Sequence, residues 1–557
     1  MGINATRICL PLFLLASLAK STIINVPADY ASIQAAIDAS LDGDTVLIQP
    51  GRYLANASIN GKNIVVGSLY LTTGNTSYIS TTVIDGDSSG STFSVWHCQD
   101  GGVSVEGLTL TGGTGTVIEY IDPWGFPSER ISGGAIASIS SLLNVSHCHI
   151  TRCSAQYGGG ISLDSSIATV SHTVFDSNYA GDGGALHAFS SSLQFMDNTV
   201  SRNEAGWLGG GISLAKSQYA SSTIADNMIA SNYSSDHGGG IVISEEDSSI
   251  VVIVRNTIDG NGAHMGGGGI YCRDSKPIIV SNLIVNNLAE TWTGGGVRCI
   301  RASPLIANNI IDSNGAFGGG GGGGIYFLGG GKWDRPIPTI VNNIITRSAG
   351  NWGIYCDSDT SNVLYNNVWD NEGGDISCSV WDSNISADPL YLESNAGAYY
   401  LEAGSPCVDA GNPDALYNDL EDPANPGYGL WPSLGTVRND MGAYGGNPDN
   451  LLLDDAKQIV TSRLPSRFDL YQNYPNPFNA ETVIFYELFA ATDLVISIHD
   501  LSGREVANLV DGFQPAGSHR VAWDGQVGDG KEAPSGIYIA RLVTPEYTKS
   551  IKMVLLK

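Results

Sequence analysis

A phrase that recurs nine times between residues 133 and 371 constrains this chain more than any other feature. It runs as two to four glycines, an apolar residue, a turn, then Asn-x-(Ile/Val)-x-x-Asn. The apolar residue falls at Ile136, Ile161, Leu186, Ile212, Ile241, Ile270, Val297, Ile325 and Ile354, at intervals of 25, 25, 26, 29, 29, 27, 28 and 29 residues. A second marker keeps the same beat at Asn178, Asn203, Asn232, Asn261, Asn287, Asn314 and Asn371, with Cys153 and Ser348 in the same slot of two repeats. Two markers that drift together identify a repeat architecture.

The composition of the repeat says which kind. Helical repeats need apolar residues at 3.6 spacing and little glycine, which costs about 1 kcal/mol against alanine inside a helix. Here the segments are short, β-branched and alternating, as in Thr339-Ile340-Val341-Asn342-Asn343-Ile344-Ile345, with Gly, Asn, Asp and Ser between them. That is strand chemistry punctuated by turns. Two or three short strands cannot close a core alone, but they can by coiling, each turn lying about 4.8 Å above the last in parallel register. The expected fold is all-β: a right-handed single-stranded parallel β-helix, or solenoid. Asparagine suits a left-handed bend, and stacked carboxamides can form a ladder between turns, so these asparagines are read as structural.

Seventy glycines and 15% charged residues suit a turn-rich β-protein, and a net charge of -28 argues against nucleic acid as a partner. Residues 1–19 read as a secretory signal: Arg7, an apolar core from Ile8 to Ala19, and a small-residue cleavage site at Ser17-Leu18-Ala19. No later stretch is apolar enough to span a membrane, so the expectation is a monomer that is secreted, extracellular or on the outer-membrane surface. Loss of Cys9 with the signal leaves eight cysteines. Cys272, Cys299 and Cys356 fall on the inward side by alternation. Cys272 and Cys299 should sit on neighbouring coils, either bridged or as two buried thiols. The cluster His147-Cys148-His149 with Cys153 invites a zinc reading, but alternation sends the histidines and Cys148 to opposite faces.

Residues 20–67 open differently, with a short amphipathic helix over Ser32–Ala39 that would cap the bottom coil. The stretch "SIQAAIDASLDGDTVLIQPGRY" resembles the opening of right-handed β-helix proteins of the pectate lyase and pectin esterase type, and "GGGI" and "NNII" resemble their generic repeat. That resemblance covers residues 22–447 and implies a fold, with polysaccharide lyases and hydrolases among its activities. Two insertions break the rhythm: 112–131, carrying Trp124 and Arg130, and 328–338. "SADPLYLESNAGAYYLEAGSPCVDAGNPD" and "RNDMGAYGGNPD" resemble the closing segment of secreted bacterial β-helix proteins, so 379–447 is expected as a top cap, stapled by Cys378 and Cys407, and 448–466 as a linker. From 467 to 557 a small antiparallel β-domain is expected, with strands near 482–488, 493–500, 517–523, 536–542 and 550–556. "LYQNYPNPFNAETVIFYEL", "VISIHDLSGREVANLVDG" and "KMVLLK" closely resemble the C-terminal sorting domain of type IX secretion, which is similar to the Ig-like fold of flagellar hook-capping proteins. The resemblance implies a small Ig-like β-sandwich and the type IX machinery as a partner.

Enzymes on this fold work along one groove. A uronate lyase needs calcium held by acids and a Lys or Arg to take the proton; a glycosidase needs two carboxylates about 5–9.5 Å apart. Asp274 with Arg298 and Arg301 on the next coil is the nearest match to a lyase set, and Glu245, Asp247 and Asp274 are the candidate calcium ligands. The paired-aspartate and Arg-Ile-Lys motifs of polygalacturonases, the esterase acids and the Arg-x-Pro-x-x-Arg stretch of classical pectate lyases are absent. A second pattern lies just before the glycine runs: Tyr157, Trp207, His237, Trp292, Phe317 and Trp352, a row of rings suited to a sugar chain, with Trp124 in the insertion as a further candidate. The expected function is therefore a secreted protein that binds, and as one branch degrades, polysaccharide; the alternative is a non-catalytic adhesin or envelope protein.

Overall fold

A computed structural model describes residues 21–557 except 100, 122–126, 216–220, 245–249, 319–320, 330–336, 358–360, 379–382, 393–398, 452–468, 471–472, 474–477, 480–481, 489–491, 515–516, 528–530, 532, 545–546 and 556–557. The chain divides into two compact units, Met1–Leu452 and Leu453–Lys557.

The first unit is a parallel β-solenoid. One turn is shown by Ile161–Asp164, Ile167–Ser171, Val174–Asp176 and Tyr179–Asp182, after which Leu186–Phe189 lies directly above the first strand. Each such turn thus has four strands, one more than the segments suggested, because the fourth is only two to five residues long. Stacking gives sheets of 13, 12, 11 and 9 strands. Ile212, Ile241 and Ile270 are register partners in the 11-stranded sheet, and all nine repeat aliphatics are fully buried in one core.

Two constraints fix the corners. Gly209 opens its glycine run with φ +68°, a region closed to most side chains, and a Cβ on Gly210 would lie 2.5 Å from the Gly239 carbonyl oxygen of the next coil. The asparagines behave differently from the expectation that they occupy the left-handed bend. Positive φ belongs to the residue before each, such as Ser177, Arg202 and Ser231. This frees the asparagine to turn its amide inward. Asn232 donates from its backbone N–H (3.0 Å) and from Nδ2 (2.9 Å) to Asn261 Oδ1, while Nδ2 also donates to the Val200 carbonyl (2.9 Å). A parallel ladder runs through Asn198, Asn227, Asn256, Asn282, Asn309, Asn343, Asn366 and Asn384.

At the bottom, Ser32 caps the helix Ile33–Ala39, which buries Ile33, Ala36 and Ile37. The first insertion forms an antiparallel ribbon, Thr116–Ile121 with Pro127–Ser132. At the top, Ile376 and Ile385 bridge to Ile354 and Asn367, and Asn384 ends one ladder. The chain then folds back along the flank, where Leu401, Cys407, Met441 and Ala443 cover Ile310 and Ile344. This corrects the expected Cys378–Cys407 staple. Cys378 is bonded to Cys356 (Cα–Cα 5.1 Å), one coil below, whereas Cys407 is a buried free thiol on the flank. Cys272 and Cys299 face each other as free thiols.

The second unit is an antiparallel, Ig-like β-fold. A sheet with Asp469–Leu470, Thr482–Leu488 and Gly517–Trp523 accompanies one with Glu505–Gln514, Thr492–Asp500, Gly536–Val543 and Thr548–Leu555. Phe478, Trp523 and Tyr538 lie in its core. The strand Glu505–Gln514 was not expected from the sequence; its two register shifts and internal glycine blur the alternation.

Candidate functional site

Each glycine run turns the chain from the 9-stranded to the 11-stranded sheet, so outward residues of the two sheets meet along a corner. On the 11-stranded side the residue after each column aliphatic must face outward. In register these are Ser162, His187, Ser213, Val242, Tyr271, Arg298, Tyr326 and Tyr355. The other side supplies Tyr157, Asp182, Leu208 and His237.

The centre is built on Arg298, only 5% exposed. Its guanidinium lies 4.9 Å from the Trp292 ring centroid, 5.7 Å from Tyr326 and 5.9 Å from Tyr271. Its Nη1 donates to His237 Nδ1 at 3.3 Å, while Nε is buried without a hydrogen-bond partner. Since a guanidinium only donates, His237 carries its proton on Nε2, which faces Asp236 Oδ1 at 3.4 Å. Burial, then the Arg298 charge, pushes His237 down to about 4, so the ring stays neutral. It stacks on Tyr271 at 4.5 Å and 7°. Burial also lowers the Arg298 guanidinium from its ordinary value.

Farther down the corner Asp182 accepts the Leu208 N–H at 3.1 Å, yet burial, with Asp236's charge adding, pushes its carboxyl up to about 6. Beyond it His187 packs against Tyr157 (5.1 Å), its Nδ1 unpartnered and its basicity pushed down to about 3 by burial. Arg130 of the antiparallel ribbon pairs with Asp164 and lies over Phe189.

Along the outer edge stand Trp207, Trp292 and Phe317, at 51%, 49% and 65% exposure. Trp207 sits so close to Gly181 that a Cβ there would lie 2.7 Å from the ring; Trp352 covers Gly374 in the same way. Glycine backbone therefore holds part of each ring and leaves the rest to solvent.

Of the residues singled out by sequence, Tyr157, Trp207, His237, Trp292 and Trp352 fall along this corner, and Arg298 lies on its floor. Trp124, Glu245 and Asp247 lie outside the described residues. Asp274, Arg298 and Arg301 are not brought together. Asp274 and Arg301 occupy the same turn position on successive coils, at the end of their strands, and form a bidentate pair (2.7 and 2.6 Å), with Arg273 adding a bond at 3.2 Å. These hydrogen bonds, Arg301's first, hold the Asp274 carboxyl below its ordinary range. Arg298 turns instead towards the glycine corner. The histidines and cysteines near 150 do not converge either: Cys148 and Cys153 are buried in the core, and His147 stacks on His172. Sequence reading missed Asp182, Asp236, Tyr271 and Tyr326. Alternation carried the signal for the tyrosines, since each sits between two inward residues immediately after the corner.

The family profile described as periplasmic copper-binding protein (NosD) matches residues 103–296, and that described as FlgD Ig-like domain matches residues 482–544. No curated protein matches the chain. Among solved structures, the PL6 family alginate lyase AlyGC is 15% identical over 69% of this chain and 56% of its own, with a TM-score of 0.36. Dimeric latent PorU from Porphyromonas gingivalis is 20% identical over 16% of this chain and 9% of its own (TM-score 0.15). PorZ of the same organism, a surface component of the type-IX secretion system, is 18% identical over 22% and 14% (TM-score 0.13). The chain thus spans less than two thirds of each of these proteins, and none of the three likenesses bears on chemistry. The fold is that of a parallel β-solenoid carrying an Ig-like unit.

Proposed function

We propose that the solenoid is the glycan-binding part of a cell-surface or envelope protein, with an extended saccharide lying along the corner. The observation that carries this is the row of partly exposed rings, of which Trp207, Phe317 and Trp352 pack against glycine backbone and Trp292 against Arg298. An aromatic platform fixed on one side gives a sugar face a large contact at little entropic cost. From Trp207 to Phe317 the row covers four coil steps, about 19 Å at about 4.8 Å each, which suits several sugar units. Behind the rings the Asp236 side chain, 37% exposed, offers a carboxylate to a ligand's hydroxyls.

Residues 467–557 are proposed to serve export through the type IX system, on the strength of the motifs quoted above and the Ig-like fold. That reading places the solenoid at or beyond the outer membrane; among the described residues no helix is long and apolar enough to cross a membrane. Copper, bound by the proteins after which one matching profile is named, needs convergent His, Cys or Met ligands. Among the described residues no group of three or more His, Cys, Asp or Glu is placed to hold a metal, so no copper chemistry is derived.

A glycan array probed with the intact chain tests the reading. Binding should fall at least about tenfold in a variant with Trp207→Ala, Trp292→Ala and Trp352→Ala. Unchanged affinity for every bound glycan would refute it.

A further inference from the structure

The corner also restricts which glycan it would take, an inference that rests on the reading above. We propose that the ligand is a neutral glycan read through its hydroxyls, and that the corner rejects uronate and sulfated chains. Three observations carry this.

First, the groups left for a ligand are acceptors and neutral donors. The Asp236 side chain, 37% exposed, offers its carboxylate, the neutral His237 Nε2–H stands beside it at 3.4 Å, and the Thr293 hydroxyl has no hydrogen-bond partner. Side by side, the carboxylate accepts from one hydroxyl and the imidazole N–H donates to the oxygen of the next, the pattern offered by a vicinal diol.

Second, the arginines near the corner are already engaged. Arg298 is walled in by Trp292, Tyr271 and Tyr326 and bonded to His237. Arg130 pairs with Asp164, Arg273 with Asp274, and Arg301 with Asp274 as well. Arg298 is thus enclosed, and Arg273 and Arg301 are held by Asp274 at the far end of their strands, so among the described residues of the corner no guanidinium is presented to a ligand carboxylate or sulfate, and a closely held anion needs one.

Third, the local field is acidic. Asp182 and Asp236 face the corner, Glu204 and Glu290 stand on or beside the 9-stranded sheet, and the chain carries a net charge of -28. Such a field repels polyanions and leaves neutral chains unaffected.

The test is titration of the intact chain with matched oligosaccharides: neutral glucan, xylan and mannan against alginate, polygalacturonate and a sulfated galactan, each at low and high salt. A neutral chain should bind at least about tenfold more tightly than every anionic one, with affinity unaffected by salt. Asp236→Ala, and separately Asp236→Asn, should weaken neutral binding without creating uronate binding. Tighter binding of an anionic chain, weakening as salt rises, overturns this inference and leaves the glycan reading intact. Failure of every glycan to bind overturns both.

Discussion

Removing one rung of an asparagine ladder should cost far more than its size suggests. In Asn232→Ala the lost Oδ1 was the acceptor for two groups of the coil below, the Asn203 backbone N–H (3.0 Å) and Asn203 Nδ2 (2.9 Å). Asn203 Nδ2 keeps bonds to the Phe175 and Ser201 carbonyls, so it is not orphaned. The Asn203 N–H has no substitute, and the site is 1% exposed, so water does not replace the bond. One orphaned buried donor costs about 1–3 kcal/mol. The Val200 carbonyl also loses the side-chain donor from Asn232. The expected total is about 2–4 kcal/mol, read as a shift of the urea midpoint by circular dichroism with amide exchange to locate it. Exchange should accelerate first at Asn203. Asn144→Ala, at an exposed amide that reaches only Ser104, is the control and should stay within about 0.5 kcal/mol. Equal, small effects at both sites would refute the claim that the amides hold the coils together.

Other consequences can be measured separately. Asp312 is buried and receives Arg347 at 2.8 and 2.7 Å, Thr346 at 2.6 Å and the Tyr399 hydroxyl of the flank segment at 2.9 Å. Asp312→Ala should cost about 1–3 kcal/mol, with half-exposed Arg347 partly compensated by water. Mass-spectrometric mapping should find Cys356 joined to Cys378 and Cys407 alkylated only after unfolding, and Cys378→Ser should loosen the last coil by roughly 3 kcal/mol for a loop of this length. In the flank, Asp419 is pushed up to about 8 and Asp440 to about 6, each chiefly by burial. Folded pKa values above the unfolded ones mean stability that is fully present below about pH 4 and is lost as pH rises through about 6 to 8. Amide protection over 409–446 should therefore be greater at pH 5 than at pH 9, and Asp419→Asn should flatten the difference.

The stacked core was legible because it is periodic: each coil must place an aliphatic over the last, and the glycine and asparagine corners repeat for the same reason. What escaped the sequence is what depends on closure rather than period. The fourth strand of each turn is too short to announce itself, and Glu505–Gln514 is disguised by its register shifts. Cys378 finds Cys356 because the last coil ends one storey above it, which spacing alone does not state. The flank segment lands on Ile310 and Ile344, residues that looked like any others of their column. At the corner, the edge rings could be named from their place before the glycines. Arg298 could be named too, but not its direction: it shared a neighbourhood with Asp274 in the sequence, and the pleat turns it the other way.

Hydroxyl-radical footprinting of the intact chain, with and without a saturating neutral oligosaccharide, addresses the corner most directly, because it reports each ring by itself. Trp207, Trp292 and Phe317 should lose reactivity together on binding, while Met228 and Val174, exposed on the 12-stranded sheet, stay unchanged. Protection on that other face, with the three rings as reactive as before, would contradict the account.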